Sequence, residues 1–234
     1  MALRKTDISP SKLEYYYDTH PTHEDLMGDS LPQVTLFTYL LEVLKWLYHK
    51  EGWMVAGNFN HYHEEIENSE NLIVPDIALF KGIEIAADEQ LRLSSWDMRG
   101  GKRQCPPLVL EVSSGSTYSG DINPDKKPRS YGLIGVKEYF SYDPNEPQVY
   151  PKRVGKRLLG WRYGASKQPE TILPDERGWL WSEELESWLG EDGAYLRLYD
   201  RNGEMRPTEA EAEQAAKEAA WAKLRELGID PEQL

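Results

Sequence analysis

Apolar residues recur at helical spacing through Val34, Phe37, Leu40, Leu41, Leu44 and Leu47, with Gly52 just past the last turn. Residues three and four apart share one helix face, so this pattern predicts an amphipathic helix beginning after Pro32. Residues 53–63 (WMVAGNFNHYH) alternate and predict a strand, and residues 71–82 (NLIVPDIALFKG) predict a second. A charged stretch covers 82–104. Leu108–Val112 (LVLEV) then reads as a strand buried on both faces. A helix over roughly 123–134 and a strand over 135–143 (GVKEYFSYD) complete the order helix, three strands, helix, strand. That order belongs to an α/β unit.

Beyond Pro144 the pattern shortens. Residues 149–164 offer two strands around a glycine turn, and 194–207 place an Asn-Gly turn between strand-like flanks. The Trp-rich segment between them, GWLWSEELESWLG, reads as a short ordered piece anchored on the core. Thr208 and Glu211 then stand in capping-box spacing at the head of an alanine-rich helix. Its apolar stripe (Ala212, Ala216, Ala219, Leu224, Leu227) is thin. Such a helix is marginal alone, so it reads either as a solvated tail or as half of a short coiled coil joining a homodimer. The expected organisation is an irregular segment 1–32, an α/β domain 33–206 and a C-terminal helix 207–234.

Composition narrows the function. With 234 residues, 39% hydrophobic, eight Trp and 14 Tyr, the chain can bury a real core. Its net charge of −13 opposes long-range attraction to nucleic acid, so phosphate binding needs a local basic patch. Lys152, Arg153, Lys156, Arg157 and Arg162, interleaved with Tyr150, Trp161 and Tyr163, are the candidate. The same cluster reads equally well as a solvated face. A single cysteine, Cys105, excludes an internal disulfide and fits a reducing compartment. The first thirty residues hold no apolar run suited to a signal peptide, and no later stretch is long enough to span a bilayer. The expectation is a cytoplasmic protein without a membrane partner.

Two acids sit inside apolar strands, Asp76 in IVPDIALF and Glu111 in LVLEVSS. If the strands are neighbours, both carboxylates project toward one point. A hard divalent ion such as Mg²⁺ would then relieve their repulsion. The plainer readings are a turn cap for Asp76 and an ion pair between Glu111 and Lys127. Ser113, two positions past Glu111, shares its strand face but carries no charge. A cation would come instead from DKKPRSY, which offers Lys126, Lys127 and Arg129. His61 and His63 share a strand face without a third ligand at recognisable spacing, and read as a solvent-exposed strand end. Ser113, Ser114 and Ser116 lack the G-x-S-x-G elbow of a serine nucleophile.

The ordered set Pro75-Asp76, EVSSGST (111–117), Asp121, Lys127, Tyr131, Gly135-Val136, Glu138-Tyr139 and Asp143-Pro144 resembles the Uma-two family of putative restriction endonucleases. That family lies within the PD-(D/E)XK nuclease superfamily. The resemblance implies an α/β restriction-endonuclease-like core with added β-hairpins and a C-terminal helix. It also implies an endonuclease that hydrolyses DNA phosphodiesters with Mg²⁺, or with Mn²⁺. By that resemblance Asp76 and Glu111 are the metal acids, with the backbone carbonyl of Val112 as a further ligand. Lys127 takes the place of a lysine at Ser113, with Lys126 as its competitor, and Glu42 on the first helix is the candidate to complete the site. Two departures stand out: the long interval from Asp121 to Lys127, holding Asn123 and Pro124, and Gly115 where the family usually has proline. The alternatives are an inactive nuclease-fold module that binds nucleic acid or a protein partner, and an assembly module organised by the C-terminal helix.

Overall fold

The computed structural model describes residues 30–83, 85–90, 92–193 and 195–231. Most of the expected irregular segment, residues 1–29, lies outside them. Helix α1 (Leu31–Tyr48) begins with Pro32 in its first turn, where a missing N–H costs no helical bond. Gln33 Oε1 accepts the Ser30 N–H at 2.9 Å and closes that turn. The buried stripe is Leu36, Leu40, Val43, Leu44 and Tyr48, while Val34 is exposed. The face is therefore turned slightly from the one the spacing suggested.

The segment 53–63 is two strands, β1 (Met54–Gly57) and β2 (His61–Tyr62), not one. Asn58 between them adopts a left-handed φ of 47°, which turns the chain out of the first sheet. Likewise 71–82 divides into β3 (Leu72–Ile73) and β4 (Ile77–Phe80). Pro75, with no N–H to donate, sits in the break. Next come α2 (Ala87–Gln90), β5 (Trp96–Asp97), β6 (Leu108–Val112), α3 (Tyr118–Asp121), α4 (Lys127–Ile134) and β7 (Glu138–Tyr142). β8 (Leu158–Tyr163) and β9 (Pro169–Thr171) follow. The helix expected from about residue 123 starts only at Lys127.

The main sheet runs β1-β4-β6-β7-β8-β9, and β2, β3 and β5 form a small sheet beside it. β6 pairs parallel with β7, while β4 pairs antiparallel with β6 in the register Ile77↔Leu110. The entrance of β4 therefore lies beside the exit of β6. Alternation assigns the faces: Ile77, Leu79, Leu108, Leu110 and Val112 pack with α1. Ala78, Phe80 and Val109 pack with Tyr131 and Ile134 of α4. Burial on both faces explains the near-continuous apolar runs.

Residues 149–157 do not form the first arm of a hairpin. The Asp143 carboxylate accepts the N–H groups of Val149 and Tyr150 at 2.7 and 3.0 Å and holds this stretch in a loop. The Trp-rich segment forms a hairpin of its own, β10 (Leu180–Ser182) and β11 (Ser187–Asp192). β12 (Tyr195–Tyr199) pairs back on β11, so the Asn202-Gly203 turn closes only a single bridge, Tyr199↔Met205. In α5 (Glu209–Glu226) the reciprocal cap forms as expected, Glu211 N–H to Thr208 Oγ1 at 3.1 Å and Thr208 N–H to Glu211 Oε2 at 2.8 Å. No α5 residue is buried. Among the described residues no helix is long and apolar enough to cross a membrane.

Candidate functional site

Strand parity puts the two acids on one face. Asp76 is in phase with Ala78 and Phe80, and Glu111 with Val109, so both point to the α4 side of the sheet. The antiparallel register brings them together at the sheet end. Asp76 Oδ2 accepts the Val112 N–H at 2.7 Å, and the Asp76 N–H donates to Glu111 Oε2 at 3.4 Å. Asp76 thus ties the exit of β6 as well as facing the site.

Helix α4 supplies the compensation Glu111 requires. Lys127 and Tyr131 are four residues apart and so lie on one helix face. Lys127 Nζ stands 3.1 Å from Glu111 Oε1, and the Tyr131 hydroxyl donates to the same oxygen at 2.5 Å. Lys127 Nζ also lies 2.8 Å from Asp121 Oδ1. Asp121, 1% exposed, takes hydroxyl hydrogens on Oδ2 from Ser113 at 2.8 Å and Thr117 at 2.9 Å. Three carboxylates and one ammonium therefore share the end of the sheet.

Burial pushes Glu111 well above the usual carboxylate range, with Asp76 and Asp121 adding to the shift and Lys127 opposing it. Asp76 is raised by burial too, against the pull of Lys127 and of the Val112 N–H. Burial alone would lower Lys127, but Glu111, Asp121 and Asp76 together hold it above its ordinary value. The Tyr131 hydroxyl is raised by burial and by Glu111. Lys127 stays protonated, while the two acids hold a negative charge only at a cost that an added cation would offset.

The residues present fit a hard divalent ion. Two carboxylates, with water and substrate oxygens, are what Mg²⁺ accepts. Asp76 and Val112 line a cavity of about 20 Å³ with Gln33, Phe37 and Asn58, room for one water, and Glu111 stands outside that lining. Among the described residues no group of three or more His, Cys, Asp or Glu is arranged to hold a metal.

The remaining predicted residues separate clearly. Ser113 is buried against Asp121, Ser141 and Tyr150. Lys126 is exposed at the N-cap of α4 and Lys127 alone turns inward. Glu42 does not reach the site: it is exposed on a groove with Lys45, Trp46, His49 and Glu213. The α1 residues that share a cavity lining with Asp76 are Gln33 and Phe37, of which only Gln33 is polar. Arg157 and Arg162 are engaged internally, Arg157 with the Asp143 and Asn145 carbonyls and Arg162 with Glu138. Lys152 and Arg153 are exposed and Lys156 half-buried. His61 is not a solvent-facing strand end but a buried ring stacked on Phe80, and His63 lies outside the strand. Sequence reasoning missed roles for Asp121, Tyr131 and Gln33. Asp121 and Tyr131 stood in the motif string, but no local pattern showed that they converge on Lys127 and Glu111.

A family model described as "Uma2: Putative restriction endonuclease" matches residues 31–177. No curated protein matches the chain. Among solved structures the chain is similar to a putative nuclease belonging to DUF820 from Anabaena variabilis. The identity is 10%, the match covers 68% of this chain and 75% of that one, and the TM-score is 0.44.

Proposed function

Because this chain belongs to the Uma2 family, we propose that it is a metal-dependent endonuclease that hydrolyses DNA phosphodiester bonds. The observation that supports this reading is the convergence of Asp76, Glu111 and Lys127 at one sheet end, two acids raised by burial beside a lysine held charged. Asp76 and Glu111 would hold the ion, with the Val112 carbonyl as a further oxygen. When bound, Mg²⁺ or Mn²⁺ supplies Lewis acidity toward a phosphoryl oxygen and lowers the pKa of coordinated water. Lys127 contributes a fixed positive charge near the developing phosphorane and orients the attacking water. Tyr131 holds Glu111 in one orientation by its short hydrogen bond.

A second reading, an inactive nuclease-fold module that binds nucleic acid or a protein partner, draws on the net charge of −13. Plasmid nicking with Mg²⁺ or Mn²⁺, alongside calorimetric metal binding, separates the two. Catalysis requires nicking by the wild type that falls by about 10²–10³ or more in Glu111→Ala, with weakened metal binding. Wild-type protein that binds metal and DNA without cutting either strand belongs to the second reading.

A further inference from the structure

Asp121 is a buried carboxylate that neither acid of the proposed metal pair touches in any hydrogen bond among the described residues. Its Oδ2 is filled by Ser113 and Thr117. Its Oδ1 has Lys127 Nζ at 2.8 Å and no other partner among the described residues. Its backbone carbonyl accepts the Tyr139 hydroxyl at 2.9 Å. Ser113 is itself fixed by Ser141 and Tyr150, each at 2.9 Å. A carboxylate this deep is costly unless its lone pairs are answered, and here the last answer is Lys127.

The geometry gives that arrangement a purpose. Position 113 points into the same face as Glu111, yet its hydroxyl turns to Asp121 instead of presenting a charge. Lys127 arrives from α4 and is shared, closer to Asp121 than to Glu111. Without Asp121 the ammonium would have Glu111 as its one close anion and would settle fully on it. We infer that Asp121 is the positioning residue of Lys127: anchored by Ser113 and Thr117, it draws the ammonium toward itself, leaving Glu111 available as a ligand and the cation available to phosphate. A purely structural ion pair tying α3 to α4 would involve the same atoms but would not act through Lys127.

The catalytic consequence rests on the nuclease reading; the positioning itself does not. In kinetics, Asp121→Asn is expected to lower kcat by about 10²-fold with KM for plasmid DNA little changed. Lys127→Met is expected to match it, and the double variant to be no slower than Lys127→Met. A fully active Asp121→Asn overturns the inference, as does a double variant slowed by both factors multiplied. If Asp121→Asn fails to fold, Thr117→Val removes one anchoring hydroxyl and no charge, and is read the same way with a smaller loss. Independently of cleavage, ¹⁵N-lysine labelling should show a slowly exchanging ammonium signal in the wild type that Lys127→Met removes. In Asp121→Asn the ammonium, left with Glu111 as its partner, should move that signal to a new chemical shift, which supports the positioning even in a protein that cuts nothing. A signal unmoved by Asp121→Asn, or absent from the wild type, overturns it.

Discussion

The Tyr131 hydroxyl donates to Glu111 Oε1 across 2.5 Å, joining the centre of α4 to the exit of β6 through two side chains that are almost wholly buried. The bond stabilises the ionised carboxylate, against the burial that raises it. Tyr131→Phe keeps the ring packing and removes only this donor. The expected cost is about 1–3 kcal/mol of stability, because a buried acceptor loses a partner. Glu111 then holds its proton more tightly, and under the metal-dependent reading proposed above Mg²⁺ binding at neutral pH weakens, since the ligand must be deprotonated. Urea denaturation and calorimetry measure the two effects separately, and an unchanged midpoint in urea would show that Lys127 alone suffices.

His61 gives a pH dependence remote from the acids. Burial lowers it from 6.5 to about 4, and its Nε2 has no hydrogen-bond partner among the described residues. The folded protein therefore binds this proton less readily than the unfolded chain. The stability it supports is complete above pH 6.5 and is lost as pH falls through the window down to about 4. The full loss amounts to about 3 kcal/mol. His61→Leu, which cannot charge, should show a flatter stability profile across that window. Urea midpoints for both proteins at several pH values decide it, and parallel profiles would exclude His61 as a source of acid sensitivity.

Periodicity and motif order made the helices, the central strands and the Asp76–Glu111 pair legible, because strand parity and an antiparallel neighbour suffice to bring those acids together. What stayed hidden depended on tertiary packing or backbone exceptions. The breaks at Asn58 and Pro75 divide strands that look continuous in hydropathy. Glu42 and Gln33 are both polar residues on an amphipathic helix, and only the helix rotation shows that Gln33 faces Asp76. Asp121 was invisible as a partner of Lys127 because the intervening turn, 122–126, has no periodicity to fix its direction. Within the basic cluster the exception is Arg157 alone: charge reads as surface in a sequence, whereas the Arg157 side chain is 12% exposed.

That distinction predicts two kinds of variant within one cluster. Arg157 donates to the Asp143 and Asn145 carbonyls at 3.2 and 2.7 Å and pairs with Glu146 and Glu191. Arg157→Ala should lower stability by about 1–3 kcal/mol, since charged hydrogen bonds to buried acceptors are removed. Replacing Lys152, Arg153 and Lys156 together by alanine should leave the urea midpoint unchanged. If that loop binds DNA phosphates, the triple variant flattens the dependence of log affinity on log salt by about 0.9 for each phosphate no longer neutralised. An unchanged slope in fluorescence anisotropy would assign the loop to solvent.

Glu138 separates scaffold from chemistry. It is 1% exposed at the start of β7, the end of the sheet opposite Val112, whose partner on that strand is Tyr142. Its carboxylate accepts from Arg162 at 2.7 Å, from Ser182 Oγ at 2.5 Å, and from the N–H groups of Glu183 and Glu184 at 3.0 and 3.1 Å. One side chain thereby fastens the β10–β11 turn to the main sheet. Glu138→Ala leaves the buried Ser182 hydroxyl and the turn N–H groups without an acceptor and is expected to cost about 1–3 kcal/mol, since Arg162, 42% exposed, can turn to water. Glu138→Gln, which keeps one carbonyl acceptor, should cost less. Neither change reaches Asp76, Glu111 or Lys127, so under the proposed nuclease reading cleavage per folded molecule should equal that of the wild type when activity is normalised to the folded fraction measured by circular dichroism. A fall in normalised activity would mean that the far end of the sheet is coupled to the acids, and that β7 transmits the strain to β6.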